Sequence, residues 1–583
     1  MEKRKLMKEN TKRRWTTIIL LTIILICSLS LLWPGIPFGH DFSFHLSRIN
    51  SICEGMRQGH LFLKVYPDLY SNYGYACGLF YGDLFLNIPA FLTLCGVNLL
   101  TSYKIFLVLI IAGTAGAAYY AGYHLSESRT TGLVSAFLYT FSSYFIFDLY
   151  LRADLGEAQA WVFFPLIILG IYRLLWGEYQ KIVPLVIGFS GLLLSHLLSF
   201  AMALIFAALL FLMGSFRFWR EPKRFFALLK ATGLTLLLTA FFLFPLLEQM
   251  FTGPIYSHQV NQVLDLSESA VRIRNLFYNF SGTPVMSPGV VFPGVGLSFL
   301  LVYFGRPLLG WAHEKHGYFS DLCLIAGSLA LLASTSIFPW AFLSRYLYFL
   351  QFPWRLFLPA CAFLSLAGGY ILSQALRKSP KLVFSFLCLC FVCIGSLVLR
   401  EQRTIYLASA TQPSPESNYQ KARTVEEGGM LYFSLEQCKF VDNNYFHENH
   451  VGEFFDPPAD AKILEENSIP CSLRREYGKI YLTYDNTKGA ASAIILPLNY
   501  TKGYRAVDLS TREQYALAPG DNGLVELSLP SDSRGEILIY YGGTLIQHVT
   551  AGVSFLSLLG ITFYRARRKY PENRFLSNNK KQP

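Results

Sequence analysis

Carboxylates in two separate polar stretches are the residues of this sequence best suited to chemistry. Asp41 follows directly after the first long apolar run, and Asp154 and Glu157 lie in a second stretch more than one hundred residues later. Spacing of three residues puts Asp154 and Glu157 on one face of a helical turn. Together with Arg152, these groups suit a general base with its orienting partners, or a site for a divalent cation and a phosphate.

Each stretch also has a purely structural interpretation. Asp41 alone is typical of an acid in an interfacial loop, and Asp148 and Arg152, four residues apart, are spaced for a salt bridge at a capped helix start. A metal interpretation places Mg²⁺ or Mn²⁺ between Asp41 and Glu157. The sequence leaves metal-free and metal-dependent chemistry both open, and Arg152 mildly favours the metal-free form because a guanidinium neutralises the same carboxylates.

Four further polar residues are predicted to contact a lipid phosphate or the substrate, as Arg152 is. Arg48 follows Asp41 by two helical turns, Arg345 and Arg355 border an aromatic segment, and His196 separates two short apolar runs. Guanidinium groups bind phosphate oxygens in pairs, which favours this role. The alternatives are membrane-anchoring arginines that extend to the interface and a hydrogen-bonded histidine at a helix break.

The composition predicts an integral membrane protein. The chain has 583 residues, of which 53% are hydrophobic and 15% are charged, whereas roughly a quarter of residues are charged in soluble domains. Of the formal charge of +12, residues 1–14 carry +5 and residues 565–583 carry +6. The charge therefore lies in two tails beside apolar runs and predicts no nucleic-acid site; both termini are expected in the cytoplasm.

The apolar runs predict an α-helical polytopic protein with about 12 spans. A thirteenth run, 79–94, is short and broken by polar residues and Pro89, so it is predicted to be an interfacial helix. The predicted spans are 15–33, 102–124, 129–148, 158–175, 181–195, 199–214, 226–247, 290–306, 319–337, 353–375, 382–399 and 545–564. This topology places the loops of Asp41 and Asp154 on the same, outer side of the membrane.

A large segment near the C-terminus differs from the rest. Residues 401–543 contain 20 Asp/Glu and 13 Lys/Arg, and alternating stretches at 479–484, 493–498, 524–529 and 536–541 predict strands. We therefore expect an extracytoplasmic β-sandwich. The predicted organisation is a basic tail (1–14), a transmembrane domain (15–400) with interfacial helices within 34–101, the β-rich domain (401–543), a last helix (544–564) and a second basic tail (565–583).

Several motifs, in order along the chain, resemble a known family. Together they are similar to the bacterial membrane proteins described as pyruvoyl-tetrahydropterin-synthase-related, of YfhO type, which in turn resemble the GT-C superfamily of glycosyltransferases. The motifs are His40-Asp41-x-x-x-His45-Leu-x-Arg48, Tyr150-Leu-Arg152-x-x-x-Gly156-Glu157-Ala158, Pro165-Leu166, Leu194-Ser-His196, Gly296-Leu-Ser298, Gln351-Phe-Pro-Trp-Arg355 and Leu496-Pro-Leu-x-Tyr500.

The resemblance implies a GT-C-like transmembrane domain in the bacterial plasma membrane. It implies transfer of a sugar from an undecaprenyl-phosphate-linked donor to an envelope glycan or lipid acceptor on the outer face, among membrane lipids. Asp41 matches the acid of the first external loop, and Glu157 or Asp154 the acid of the next. A transporter or flippase for lipid-linked glycans, and a non-catalytic envelope-assembly protein, are the alternatives; a transporter would carry charges at mid-membrane depth.

Overall fold

The computed structural model describes residues 2–32, 41–69, 72–252, 265–278, 294–310, 315–378, 469–487, 489–520 and 523–569, with Lys381, Phe384 and Cys388. This part of the chain is mostly helical. Its helices are α1 Glu2–Ser28, α2 Phe42–Arg57, α3 Cys77–Phe80, α4 Asn87–Leu94, α5 Leu99–Ser126, α6 Arg129–Thr140, α7 Ser143–Phe147, α8 Leu155–Leu175, α9 Val183–Leu193, α10 Leu197–Met213, α11 Phe216–Arg220, α12 Lys223–Thr252, α13 Leu300–Gly305, α14 Lys315–Ala333, α15 Trp340–Leu347, α16 Phe357–Lys378 and α17 Leu545–Lys569.

Seven stretches among the described residues are long and apolar enough to cross a membrane. They are Glu9–Leu32, Leu99–Ser126, Leu155–Leu175, Lys223–Thr252, His316–Ala333, Pro353–Lys378 and Leu545–Arg565. The protein is therefore a helical membrane protein. Most of the Pro353–Lys378 stretch is buried inside the bundle, whereas the Leu545–Arg565 stretch is almost fully exposed on its outside.

The predicted twelve spans correspond only partly to these helices. The run 129–148 is a pair of helices bent by 46°, which makes eight spans if the pair counts as one. Val183–Leu193, Leu197–Met213 and Leu297–Leu308 are shorter apolar helices. At a rise of about 1.5 Å per residue, helices of this length fall short of the hydrocarbon thickness of about 30 Å. The run 382–399 lies largely outside the described residues, so the count of twelve stays a prediction.

Close packing of α8 on α9 sets the position of the segment that follows α9. A Cβ atom at Gly170 would meet the backbone nitrogen of Leu185 at 2.7 Å, and one at Gly188 would meet that of Ile167 at 3.0 Å. Small residues let two helix backbones approach closely in a membrane. The antiparallel pair consequently brings His196, just beyond α9, to the N-terminal end of α8.

The C-terminal region is β-rich, as expected, and the four predicted strands are present. Five strands form one antiparallel sheet in the order β1-β2-β8-β4-β5, and three form another in the order β3-β7-β6. The strands are β1 Cys471–Glu476, β2 Lys479–Asn486, β3 Ser492–Asn499, β4 Tyr504–Asp508, β5 Gln514–Tyr515, β6 Leu517–Pro519, β7 Leu524–Leu529 and β8 Ser533–Tyr541.

Apolar side chains from both sheets form one core, which includes Leu482, Leu496, Leu527 and Ile539. Alternating burial along the strands explains why their pattern was readable in the sequence. The predicted β-sandwich also covers 401–468, which lies outside the described residues, so that domain assignment stays a prediction.

The β-rich region rests on the segment between α2 and α3. The backbone nitrogen of Asn499 donates to the carbonyl oxygen of Tyr73 at 2.9 Å, and its side chain donates to that of Gly74. Lys502 pairs with Glu248 at the end of α12, with an N–O distance of 3.1 Å. These contacts hold the β-rich region against the segment between α2 and α3 and against the C-terminal end of α12.

Candidate active site

Asp41 is the N-cap residue of α2, but its carboxylate makes no capping hydrogen bond. The backbone nitrogen of Asp41 instead donates to the carbonyl oxygen of Arg152 at 2.9 Å, and its Oδ2 lies 3.7 Å from Nη2 of that arginine. The Asp41 side chain is 38% exposed. Burial raises the pKa of Asp41 above its ordinary value, and the negative charge of Asp154 raises it further. The positive charge of Arg152 acts in the opposite direction.

Arg152 lies at the centre of the acidic cluster. It ends a π-helical turn, Asp148–Arg152, and the next residue, Ala153, has a left-handed backbone with φ of 52°. Nη2 of Arg152 lies 3.3 Å from Asp154 Oδ2, and Nη1 lies 3.3 Å from Glu157 Oε2. One guanidinium therefore contacts all three predicted catalytic carboxylates, which its fork of five donors allows.

Asp154 caps α8 and Glu157 lies in the first turn of that helix. Oδ1 of Asp154 accepts a hydrogen bond from the backbone nitrogen of Glu157 at 3.0 Å, a standard N-cap contact. Glu157 is fully buried and also accepts a hydrogen bond from the hydroxyl of Tyr144. Asp148, which the spacing paired with Arg152, accepts instead from the indole nitrogen of Trp161 at 3.3 Å.

Arg355 is the second guanidinium of the cluster. It approaches Asp154 at 3.9 Å and Glu157 at 3.7 Å. Its Nε and Nη1 atoms are buried and have no hydrogen-bond partner among the described residues. Trp354, the preceding residue, lies 4.6 Å from the Arg152 guanidinium carbon, measured to the ring centroid. Of these two atoms Nε faces Glu157, so Nη1 is the donor of Arg355 that no carboxylate of the cluster contacts among the described residues.

Two histidines complete the surroundings of Asp154. Nε2 of His45 lies 3.8 Å from Asp154 Oδ1, and Nε2 of His196 lies 3.9 Å from Oδ2. Burial lowers the pKa of His196 to about 3, although the Asp154 charge opposes this. Burial alone would raise the pKa of Asp154, but the nearby side chains of His196, His45, Arg152 and Arg355 hold that pKa well below its usual range. Asp154 is therefore a carboxylate at physiological pH.

Two predicted cations lie away from the carboxylates. Arg48 donates to the carbonyl oxygen of Gly82 at 3.2 Å and lies over the ring of Tyr81 at 4.5 Å. Arg345 is exposed on α15 and lies over the rings of Phe342 and Tyr346, residues of the same helix. No ion pair joins Arg48 or Arg345 to the carboxylate cluster within the described ranges, so their phosphate-binding role stays a prediction.

Tyr81 and Tyr144 belong to the site but were not predicted. The Tyr81 hydroxyl donates to Asp154 Oδ1 at 3.2 Å, and a Cβ atom at Gly156 would meet that hydroxyl at 2.0 Å. Neither tyrosine lies in a sequence motif whose residue types and spacing indicate a catalytic or binding role. The only sequence signal is Gly156 itself, because a small residue in the first turn of a helix permits a close approach.

The residues that lie close enough together to hold a metal ion differ from the predicted pair, Asp41 and Glu157. Among the described residues, ligand atoms of Asp154, Glu157 and His196 lie within 4.8 Å of one another, and Asp41 is outside this group. Asp41 and Glu157 are bound to separate nitrogens of Arg152 instead. A cation would compete with Arg152 and Arg355 for the same oxygens, so the present arrangement does not fit a resident dication.

The fold and the cluster define a helical membrane protein with a buried ionic site at one end of its bundle. No family model matches the chain. An uncharacterized protein of Lactococcus lactis subsp. cremoris (strain MG1363) is 28% identical over 259 residues. That match covers 40% of this chain and spans 40% of the length of the relative.

Two solved structures are similar to the chain. The cryo-EM structure of the arabinofuranosyltransferase AftD from mycobacteria matches with a TM-score of 0.44 and 13% identity, over 91% of this chain and 40% of that one. A mutant of AftD matches with a TM-score of 0.41 and 13% identity, over 91% and 42%. Similarity of this size carries no information on the reaction, which has to be argued from the site.

Proposed function

We propose that this protein is a membrane glycosyltransferase that transfers a sugar from a polyprenyl-phosphate donor to an envelope glycopolymer or lipid. One observation carries the proposal. Asp41 is a half-exposed carboxylate at the edge of a cluster whose buried carboxylates, Asp154 and Glu157, are matched by the two guanidiniums of Arg152 and Arg355. Of these three carboxylates, Asp41 is the one that an incoming substrate reaches from solvent.

The proposed reaction is a displacement at the anomeric carbon of the donor sugar. Asp41 takes the proton of the acceptor hydroxyl while that oxygen attacks the anomeric carbon. The bond between this carbon and the donor phosphate oxygen breaks, and its electron pair leaves with the phosphate. The products are the glycosylated acceptor, the free lipid phosphate and a protonated Asp41, which returns its proton to water.

Arg355 is best placed to bind the departing phosphate. Its buried Nη1 atom has neither a hydrogen-bond partner nor an ion pair among the described residues, and a buried donor without a partner is costly unless a ligand takes it. Arg152 is already engaged by three carboxylates, so it orients the site. Positively charged donors stabilise a developing phosphate charge more strongly in a buried site than in water.

The membrane setting supports a lipid-linked donor. Asp154 directly precedes the apolar stretch Leu155–Leu175, and Arg355 lies at the start of the stretch Pro353–Lys378. At such helix ends a lipid-anchored phosphate is within reach of Arg355, and a glycan hydroxyl approaches from solvent. We propose that the donor lipid is undecaprenyl phosphate and that the site faces outward. Charge pairing between arginines and carboxylates replaces a metal in this scheme.

The experiment compares envelope glycans of cells that lack the protein with those of complemented cells. Wild-type protein is expected to restore a sugar that the deletion strain lacks, and Asp41→Asn, which removes the proton acceptor, is expected not to restore it. Losses of about a hundred- to ten-thousand-fold are typical for a general base. Glu54→Gln, an exposed carboxylate of the same helix α2, is the control. Full restoration by Asp41→Asn would rule out the mechanism, and unchanged glycans in the deletion strain would rule out the activity.

A further inference from the structure

Two adjoining cavities lie between the β-rich region and the segment that follows α2, apart from the carboxylate cluster. Their volumes are about 220 and 150 Å³. They share five lining residues, which form the wall between them: Pro67, Tyr477, Gly478, Lys479 and Tyr504. Each is smaller than the roughly 300–1,000 Å³ of pockets for drug-sized ligands, so each suits a single small ring.

The larger cavity is lined by aromatic side chains. His60, Phe62, Tyr477, Tyr540 and Tyr541 contribute to it. The rings of His60 and Tyr477 are stacked with centroids 6.2 Å apart. Tyrosine offers an apolar face together with a hydroxyl group. A sugar ring has the matching chemistry, because one side presents C–H bonds and its edge presents hydroxyl groups.

The smaller cavity adds planar polar groups. Asp68, Asn72 and Arg475 line it. Oδ2 of Asp68 accepts a hydrogen bond from Ser51 at 2.8 Å, but its Oδ1 is buried and has no hydrogen-bond partner within the described part of the chain. A buried carboxylate oxygen without a donor is costly. Because Asp68 lines this cavity, its carboxylate can accept a hydrogen bond from a ligand hydroxyl there.

We propose that the two cavities bind two consecutive sugar residues of a glycan chain. Aromatic faces take one ring in the larger cavity, and Asp68 takes a hydroxyl of the next ring in the smaller one. The inference rests on the proposed function for the identity of this glycan, which is the acceptor of the transfer. The assignment of the cavities to sugar itself depends only on their own lining.

The same segment connects the cavities to the proposed active site. Tyr66 lies between the cavity-lining residues Val65 and Pro67, and its hydroxyl donates to Asp83 Oδ2 at 2.6 Å. The neighbouring carbonyl of Gly82 accepts from Arg48, whose Nη1 lies 3.4 Å from Nδ1 of His45. A glycan bound in the cavities is therefore held by the segment that also carries Tyr81, whose hydroxyl donates to Asp154.

Binding is tested with full-length protein in lipid nanodiscs. The probes are oligosaccharides of two to four residues, made by partial acid hydrolysis of the envelope polysaccharides of the bacterium that carries the protein, and the measurement is saturation-transfer NMR. Wild-type protein is expected to transfer saturation to sugar protons. Asp68→Asn removes the charge of the accepting group and Tyr540→Ala removes an aromatic face, and each variant is expected to weaken binding about tenfold.

Tyr481→Ala is the matched control, because this tyrosine belongs to β2 of the same sheet but lies under Arg474 instead of lining either cavity. It is expected to bind like the wild type. Absence of transfer with wild-type protein, or equal binding by Asp68→Asn, would overturn the inference. If Tyr540→Ala does not fold, as judged by its thermal unfolding, Asp68→Asn decides alone.

A further variant separates this inference from the proposed function. Asp41→Asn is expected to abolish sugar transfer and to leave oligosaccharide binding unchanged. If the wild-type protein binds oligosaccharides but transfers no sugar, the proposed transferase function is rejected and the proposed glycan site is retained. If the wild-type protein transfers sugar but does not bind oligosaccharides in the cavities, the proposed glycan site is rejected and the proposed transferase function is retained.

Discussion

Arg152 binds Asp41 through its backbone and its side chain together. Its carbonyl oxygen accepts a hydrogen bond from the backbone nitrogen of Asp41 at 2.9 Å, and its guanidinium lies 3.7 Å from the Asp41 carboxylate. The same guanidinium contacts Asp154 and Glu157. Two segments far apart in the sequence are thereby joined at one residue, whose loss would disturb both.

Replacement of Arg152 by lysine is expected to damage the protein despite the conserved charge. A lysine ammonium is a point charge and cannot present separate nitrogens to several carboxylates as the guanidinium does. A buried carboxylate left without its donor costs about 1–3 kcal/mol or more, so Arg152→Lys should lower the thermal unfolding midpoint and reduce transfer about a hundredfold. Arg57→Lys, at an exposed pair with Glu54, should change neither. Near-normal transfer by Arg152→Lys would contradict its central role.

The pH dependence of transfer should report the ionisation of Asp41. Asp41 must be deprotonated to accept a proton, and its pKa is raised by burial and by Asp154. The rate should therefore rise with pH through a value above the ordinary Asp pKa of about 3.9 and level off beyond it.

Asp154→Asn removes one of the two causes that raise this pKa, so the acidic limb of the rate profile should move to lower pH. Measurement of kcat/KM across pH, for wild type and for this variant, checks the prediction. If the acidic limb of the profile does not move in Asp154→Asn, the titration belongs to another group. The same holds if the limb is still present in the residual rate of Asp41→Asn.

Tyr81 and Gly156 should act as a pair. A Cβ atom at Gly156 would lie 2.0 Å from the Tyr81 hydroxyl, so Gly156→Ala should displace that hydroxyl from Asp154 and reduce transfer. Tyr81→Phe alone loses one hydrogen bond to a carboxylate, worth about 1.5–3 kcal/mol. The double variant Gly156→Ala/Tyr81→Phe should be less impaired than the sum of the two single variants. Strict additivity in the double-mutant cycle would exclude the contact.

The sequence indicated which charged residues lie together better than it indicated the shapes of the helices. Asp41, Asp154 and Arg355 lie at the ends of apolar runs. Because charged groups are costly inside a membrane, such ends are expected at its surfaces. In the structure these three residues lie close together. The bend between α6 and α7 was not readable. The nitrogen of Ser143 donates to the carbonyl oxygen of Val295 there, a tertiary contact that leaves no trace in local hydropathy.

The same distinction applies to the β-rich region. Four strands were predicted because inward and outward residues alternate along them. The strands Gln514–Tyr515 and Leu517–Pro519 were missed because two or three residues are too few to carry a period. Tyr81 was missed for a different reason, since a single tyrosine acquires its role only from the approach of Gly156.

Chelation of divalent cations is the last test of the proposed chemistry. Oxygens of Asp154 and Glu157 and a nitrogen of His196 lie close enough together to be read as a metal site. However, Oδ2 of Asp154 already lies 3.3 Å from Arg152, and Oε2 of Glu157 lies 3.3 Å from the same guanidinium. Mg²⁺ would need such oxygens at about 2.0–2.1 Å, which would bring the dication against two arginines.

Transfer by purified protein is therefore expected to continue unchanged after dialysis against EDTA. His196→Gln keeps a hydrogen-bonding side chain and removes the imidazole ligand, so it should cause only a moderate loss that added Mn²⁺ or Mg²⁺ does not alter. Complete loss in chelator, with recovery on addition of either ion, would reverse the argument. Arg152 and Arg355 would then have to move away from the carboxylates when the cation binds, and Asp41 would be re-examined as a ligand instead of a base.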